Sequence, residues 1–237
     1  MERIGHPRLH LRETDSTNAR ACTLAQAGAP HGTLVTATEQ TAGRGRQGRR
    51  WVGPPGAALL FSVVLRALDP LLPLRAGLAV ADVAGASARV KWPNDVLLDG
   101  RKVAGVLVEA RPQEHWAVLG AGVNVAVDPR ALPEALQSSA GTLGRSPADL
   151  EPILHELLAA LEARLREPAG ATVTALRTRD ALRGRQLRWD GGAGTGAGID
   201  AEGRLLVRGA DGATMALDAS EVHLLGMPEA EPPPSTV

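Results

Sequence analysis

Two apolar periods run along this chain. Between residues 147 and 166, Leu154, Leu157, Leu158, Leu161 and Leu165 fall three or four apart behind Pro147 and Asp149, which predicts a helix. Residues 72–86 predict an alanine-rich helix and 173–182 a shorter one. Thr14-Asp15-Ser16-Thr17-Asn18 is a cluster of helix-starting residues, so a helix should follow the extended stretch at 9–13, run to about residue 27 and stop at Gly28. The strand-like segments are 33–38, which alternates weakly, and 58–65, a continuous apolar run suited to a strand covered on both faces. Further strands are predicted at 89–98, 101–110 and 115–125. Beyond Arg185 the texture changes to short strands broken at Gly191-Gly192, Glu202-Gly203 and Asp211-Gly212. The pattern predicts an α/β (α+β) domain over 1–183, a small β-barrel module over 184–226 and a disordered tail over 227–237.

Asp99-Gly100 is a strong two-residue hairpin signal, and folding it aligns chemistry. Leu98 should pair with Arg101, Leu97 with Lys102 and Asp95 with Ala104, which sets Lys91, Asp95 and Lys102 on one side of the ribbon. Asp95 would stand diagonal to Lys102 at about 7–8 Å. Pro93 can bend the first strand, and a slip of one residue would reverse the arrangement.

The chemistry concentrates in Gly43-Arg44-Gly45-Arg46-Gln47-Gly48-Arg49-Arg50-Trp51. At roughly 7 Å spacing and an effective dielectric near 20, each pair of cations repels by about 2 kcal/mol, so a compact loop calls for an anion. No aliphatic residue in the run can fasten it to a core, and it is expected to be mobile when empty and ordered on binding. The run also fits G-x-G-x-x-G, but Val52-Gly53-Pro54-Pro55-Gly56 cannot supply the helix a dinucleotide fingerprint must open. A solvated basic turn is the plain alternative for the loop, and a surface hairpin with ordinary ion pairs the plain alternative for 89–102. Taken together, two lysines and a carboxylate opposite an arginine-glycine loop describe a nucleotide site with room for Mg²⁺.

Composition narrows the partner. The chain has 237 residues with 26 basic and 26 acidic side chains, so the cationic loop is a local device, and no nucleic acid partner is expected. With one Phe, no Tyr and four Trp, base stacking along a single strand is poorly supported too. The single cysteine, Cys22, excludes an internal disulfide and reads as a small apolar residue rather than a nucleophile. The six histidines show no metal-binding spacing. No signal peptide or bilayer-length apolar run is visible, and a soluble cytoplasmic protein without a membrane partner is expected.

The arginine-glycine loop, Lys91-Trp92-Pro93-Asn94-Asp95, the segment from Arg101 to Glu109 reading RKVAGVLVE, and Gly120-Ala121-Gly122-Val123-Asn124 together closely resemble the biotin–protein ligases. The likeness extends from about residue 8 to 224. It implies a class II synthetase-like catalytic domain with a mixed sheet and flanking helices, then an SH3-like C-terminal barrel. It implies that biotin and ATP, with Mg²⁺, give biotinyl-5′-adenylate, from which a lysine of a biotin carboxyl carrier protein displaces AMP. A homodimer is among the assemblies such proteins form.

Carried over by motif, the resemblance makes Lys102, Arg44 and Arg46 the catalytic cations. Biotin would be bound by Ser16, Thr17, Asn18 and Gln40 with Arg44, Gly45, Arg46, Lys102 and Gly105. The nucleotide would meet Arg44, Arg46, Arg49, Trp51, Lys91, Asn94, Lys102 and Asn124, with Trp51 stacking on adenine, and the metal would meet Asn94 and Asp95. In isolation Ser16 reads as a helix N-cap. Repressor-type members carry an N-terminal helix-turn-helix domain; here the catalytic region starts within the first dozen residues, so DNA binding is not expected. The rivals are a lipoate–protein ligase and a non-catalytic regulator that senses biotin or binds nucleic acid.

Overall fold

The computed structural model describes residues 3–218 and 222–225. The expected tail lies outside them. A seven-stranded sheet comprises β1 (Arg8–Thr14), β2 (Leu34–Gln40), β3 (Ala58–Leu65), β4 (Arg89–Lys91), β5 (Asp95–Leu98), β6 (Arg101–Arg111) and β7 (Trp116–Asn124), in the order β1-β2-β3-β7-β6-β5-β4. Only β1 and β2 pair in parallel, and α1 (Thr17–Gln26) makes the crossover between them.

Alternation along β3 and β7 explains why both are buried throughout. Leu59, Phe61, Val63 and Leu65, with Ala117, Leu119, Ala121 and Val123, face the main core with α2 (Leu72–Ala84) and α4 (Leu150–Arg166). On the opposite face, Val64, Trp116 and Val118 pack under Ala21 and Ala25 of α1. Ala58 and Leu60 meet Val127, Leu132 and Ala140 near the short helix α3 (Glu134–Gln137). Between these two patches the second face is open, and the cavity lies there.

The continuous run read as one strand over 89–98 is two strands. Trp92-Pro93-Asn94, with a cis Trp92–Pro93 bond, turns the chain so that Lys91 pairs with Asp95. Proline lacks the N–H that a central strand needs. Asp99 (φ 49°) and Gly100 (φ 77°) form the expected hairpin turn, Leu98 pairs with Arg101, and Leu97 pairs with Lys102. Asp95, however, pairs with Gly105 rather than Ala104, because β6 carries a bulge that leaves Val103 without an opposite number.

The helix expected at 173–182 is α5 (Ala169–Arg179), which starts four residues earlier, directly after Pro168. Only Thr172, Val173 and Leu176 of α5 are buried, so its first turn gave no apolar signal. At α4 the Ser146 N–H donates to Asp149 Oδ2 at 2.8 Å, a capping box ahead of the helix. Beyond α5, β8 (Gln186–Trp189), β9 (Gly192–Ile199), β10 (Leu205–Arg208), β11 (Thr214–Leu217) and β12 (Val222–Leu224) form an antiparallel sheet ordered β11-β10-β9-β8-β12. Among the described residues β11 and β12 are not paired to each other, so the module is a second sheet rather than a closed barrel. It packs on the first through a continuous apolar core, and Trp92 Nε1 donates to Gly203 O at 3.0 Å. Among the described residues no helix is long and apolar enough to cross a membrane.

Candidate active site

Glycines make the floor of the cavity. Gly120 lies opposite Ser62 of β3 and Leu107 of β6, and Gly122 lies opposite Leu60 and Gly105. Both point to the open face, and neither leaves room for a Cβ. At Gly120 a Cβ would stand 1.8 Å from Asn18 Oδ1, and at Gly122 it would stand 2.3 Å from the Trp51 ring. Two alternate glycines in a buried strand thus seat one amide and one indole against the sheet. The space above is about 640 Å³.

The end of the cavity over Gly120 is lined by hydroxyls and amides. Ser16, Thr17 and Asn18, at the start of α1, are all buried. Gln40 Oε1 accepts from the Thr17 backbone N–H at 2.8 Å and from Thr17 Oγ1 at 3.0 Å. Ser62 Oγ is 2.8 Å from Thr17 Oγ1 and 2.6 Å from Asn18 Oδ1, and Asn18 Nδ2 donates to Glu109 Oε2 at 2.9 Å. Ser16 occupies the N-cap position, but its side chain makes no capping hydrogen bond. It lines the cavity instead.

Two residues along the strands, over Gly105 and Gly122, the lining becomes ionic. Lys91, Asp95 and Lys102 all face the cavity, as the hairpin reading expected. The route differs, because the bulge at Val103 re-aims Lys102 toward Gly105's side of the sheet. Lys102 Nζ lies 2.6 Å from Asp95 Oδ1 and 5.8 Å from the centroid of Trp51, within cation–π range. Its backbone is pinned by the 139–141 segment: Lys102 N–H donates to Ser139 O and Gly141 N–H to Lys102 O, each at 2.8 Å.

The arginine-glycine loop is folded down on itself. Arg44 and Arg50 form an antiparallel bridge, Gly45 N–H donates to Arg49 O at 2.6 Å, and Trp51 N–H donates to Gly43 O at 2.9 Å. Gln47 (φ 54°) and Gly48 (φ 74°) take left-handed backbone at the tip. Protein acceptors meet several of the loop's cations. Arg50 Nη2 donates to Thr41 O at 2.7 Å, Arg46 Nη1 to Asn94 Oδ1 at 3.3 Å, and Arg44 Nη1 lies 3.5 Å from Glu109 Oε1. Trp51 supplies the apolar fastening that the aliphatic residues could not, lying against Gly105 and Gly122 and packing on the Ala58–Leu60 patch.

Arg44, Arg46, Arg49, Arg50, Lys91 and Lys102 all line this one cavity, with Asp95 as the carboxylate in its wall, inside a chain of zero formal net charge. Asn124 lies apart from it: the residue is buried, and Nδ2 donates to Gly141 O at 2.9 Å. Asn94 uses its amide to tie elements together, accepting from Arg46 and donating from Nδ2 to Val106 O at 2.8 Å. Asp95 is paired to Lys102, and among the described residues no three His, Cys, Asp or Glu side chains are grouped as potential metal ligands. A Mg²⁺ here fits as an ion carried in on nucleotide phosphates, with Asn94 and Asp95 at hand. Burial first, and Glu109 second, push the Cys22 thiol up to about 11, in keeping with a non-nucleophilic cysteine.

Four contributors were not singled out from the sequence. Ser62 is the lone polar residue in the apolar run 58–65, and Glu109 is a carboxylate closing an apolar strand segment; both signals were present. Ser139 belongs to a loop, and His223 of β12 reaches the cavity wall together with Leu224 only through tertiary packing.

A class of enzyme follows from this pairing of fold and site, and comparison with known proteins supplies the family. Residues 11–124 match the profile of the biotin/lipoate A/B protein ligase family. The biotin–acetyl-CoA-carboxylase ligase of Mycobacterium tuberculosis is 38% identical over 90% of this chain and 88% of its own length. The bifunctional ligase/repressor BirA of Bacillus subtilis is 34% identical over 70% of this chain, which spans 56% of that relative. A solved biotin protein ligase from Aquifex aeolicus, in complex with biotin and ATP, superposes with a TM-score of 0.80 at 27% identity, covering 92% of this chain and 99% of that one. The chain belongs to the biotin/lipoate A/B protein ligase family.

Proposed function

We propose that this chain activates biotin with ATP as biotinyl-5′-adenylate and transfers the acyl group to a lysine of a biotin carboxyl carrier domain. The observation that carries this reading is a single cavity whose polar, ring-sized end lies two residues along the strands from Lys102 and its cationic surroundings. That offset is about 7 Å at roughly 3.3 Å per residue, the reach of an extended five-carbon acid chain. A ureido ring seated among Ser16, Thr17, Asn18 and Gln40 would put its carboxylate beside Lys102, with Gly105, Val106 and Leu107 along the aliphatic part. A site lined to hydrogen-bond that ring would discriminate against lipoate, whose dithiolane would leave these groups unpaired.

The first step joins two anions. A carboxylate oxygen attacks the α-phosphorus, a P–O bond forms, and the bond to the β-phosphate oxygen breaks to release pyrophosphate. Lys102, Arg44 and Arg46 lower the repulsion between the reactants and stabilise charge on the transferring phosphoryl group; a Mg²⁺ held by the nucleotide phosphates near Asn94 and Asp95 would add to that charge neutralisation. Lys102 must exchange Asp95 for the incoming oxygens, so Asp95 acts as a placeholder that keeps the ammonium aimed at the cavity. Arg49 and Lys91 suit the outer phosphates, and Trp51 the adenine side. In the second step the carrier lysine attacks the acyl carbon, the C–O bond to AMP breaks, and the amine loses a proton. Residues 1–183 hold the chemistry in this reading, and the 184–226 module closes one wall through His223 and Leu224.

Biotin-dependent ATP–pyrophosphate exchange, followed by transfer of labelled biotin to a carboxyl carrier domain, tests the proposal. Lys102→Ala should lower exchange by about 10²–10³-fold. Exchange driven by lipoate and not by biotin would overturn the assignment of the ring pocket.

A further inference from the structure

Glu109 stands on β6 outside the cavity lining, and its two carboxylate oxygens have different engagements. Oε2 accepts from Asn18 Nδ2 at 2.9 Å, and Oε1 lies 3.5 Å from Arg44 Nη1. Asn18 is only 4% exposed, and its other end accepts from Ser62 Oγ at 2.6 Å. Ser62 touches Thr17, and Thr17 touches Gln40. One unbroken chain of polar side chains therefore runs from the hydroxyl- and amide-lined end of the cavity, through Asn18 and Glu109, to a guanidinium of the arginine-glycine loop.

We infer that Glu109 is a positioning residue that couples occupancy of the ring pocket to the placement of Arg44, an inference resting on the function proposed above. Proton counting gives the reason. Thr17 and Ser62 carry one hydroxyl proton each, while three contacts among Gln40, Thr17, Ser62 and Asn18 draw on them. While Thr17 donates to Gln40, the single Ser62 proton serves either Thr17 or Asn18, and the other contact goes without one. A ring that takes over Gln40 frees the Thr17 proton for Ser62, so the Ser62 proton settles on Asn18 Oδ1. With Oδ1 held, Nδ2 must point at Glu109, and the carboxylate is fixed with its second oxygen toward Arg44. The Arg44–Glu109 pair is half-exposed and weak by itself, so a bias delivered from the pocket can decide whether it forms. Glu109 reaches no substrate, and its effect passes through Arg44.

Glu109→Gln separates the two ends of the chain, since an amide oxygen still accepts from Asn18 while the –NH₂ end faces Arg44 without attraction. In calorimetry the variant should bind biotin with a Kd within about threefold of wild type, while the kcat of ATP–pyrophosphate exchange falls about tenfold at an unchanged KM for biotin. Hydrogen–deuterium exchange of the 43–51 segment gives a readout that a purely structural role would not move. Saturating biotin should slow that segment about tenfold in wild type and less than about twofold in the variant. Asn18→Ala cuts the chain from the pocket side and should lose the same protection at saturating biotin. Wild-type protection in either variant would overturn the coupling. Absence of biotin binding to the wild type would instead bring down the function it rests on, and this inference with it.

Discussion

Replacing Gly120 by alanine tests how the ring pocket is built. The backbone there lies outside the left-handed region, so alanine is compatible with it, and loss of glycine's freedom in the unfolded chain would stabilise by about 0.4–1 kcal/mol. The added methyl would stand 1.8 Å from Asn18 Oδ1, which no rotamer adjustment of a few tenths of an ångström absorbs. Asn18 must leave, breaking its bond from Ser62 and its bond to the Glu109 carboxylate. The first is worth about 1 kcal/mol and the second, to a charged acceptor, about 2 kcal/mol. Ser62 is fully buried, so its hydroxyl cannot turn to water for compensation. The expected net loss is about 2–3 kcal/mol, read as a lower urea midpoint at unchanged slope. Because methyl and amide compete for one space, Gly120→Ala combined with Asn18→Ala should be less damaging than the two effects added, by about 1–2 kcal/mol. Additivity within about 0.5 kcal/mol, or a Gly120→Ala protein as stable as wild type, would show that Asn18 is not lodged against this strand.

Gly122→Ala should act on activity more than on stability, because it lifts the Trp51 ring and with it the end of the arginine-glycine loop. ATP–pyrophosphate exchange is expected to fall about tenfold or more, as for a misplaced phosphate-binding group, and initial rates against ATP concentration would measure it. Cys22, with its thiol held up to about 11, should resist alkylation. At pH 8 the folded protein should react with iodoacetamide roughly a hundredfold more slowly than the urea-unfolded chain, whose thiolate fraction is that of an ordinary cysteine. A native-state pH–rate profile that levels off above about pH 9, as for an ordinary cysteine, rather than still climbing at about pH 10, would refute the burial argument.

Much of the site was legible because its signals are local. The arginine-glycine run, the Asp99-Gly100 turn and the lysines beside Asp95 declare charge and turn geometry within a few residues, and the run's four arginines, Gly100, both lysines and Asp95 line one cavity. The run at 58–65, apolar except for Ser62, announced a strand covered on both sides, and β3 is buried at every position. Reading went astray where a local rule met a non-local one. Pro93 broke a strand that hydrophobicity alone had extended to Leu98, and the bulge at Val103 moved Asp95 onto Gly105. Two acceptors that meet the loop's arginines, Asn94 and Glu109, lie far along the chain from it and so gave no local signal.

Periodicity, turn chemistry and charge, all properties of neighbouring residues, determined most of the elements and identified the cationic loop and the lysine hairpin. Tertiary structure decided what those elements surround. It paired Gly120 with Ser62 and Gly105 with Gly122 across strands, which thins the sheet where Asn18 and Trp51 lie. It also laid a hydrogen-bonded path from Gln40 to Arg44 and carried His223 from the second sheet to the cavity wall. Register and packing depend on which surfaces are buried together, and no stretch of chain contains both partners of such a contact.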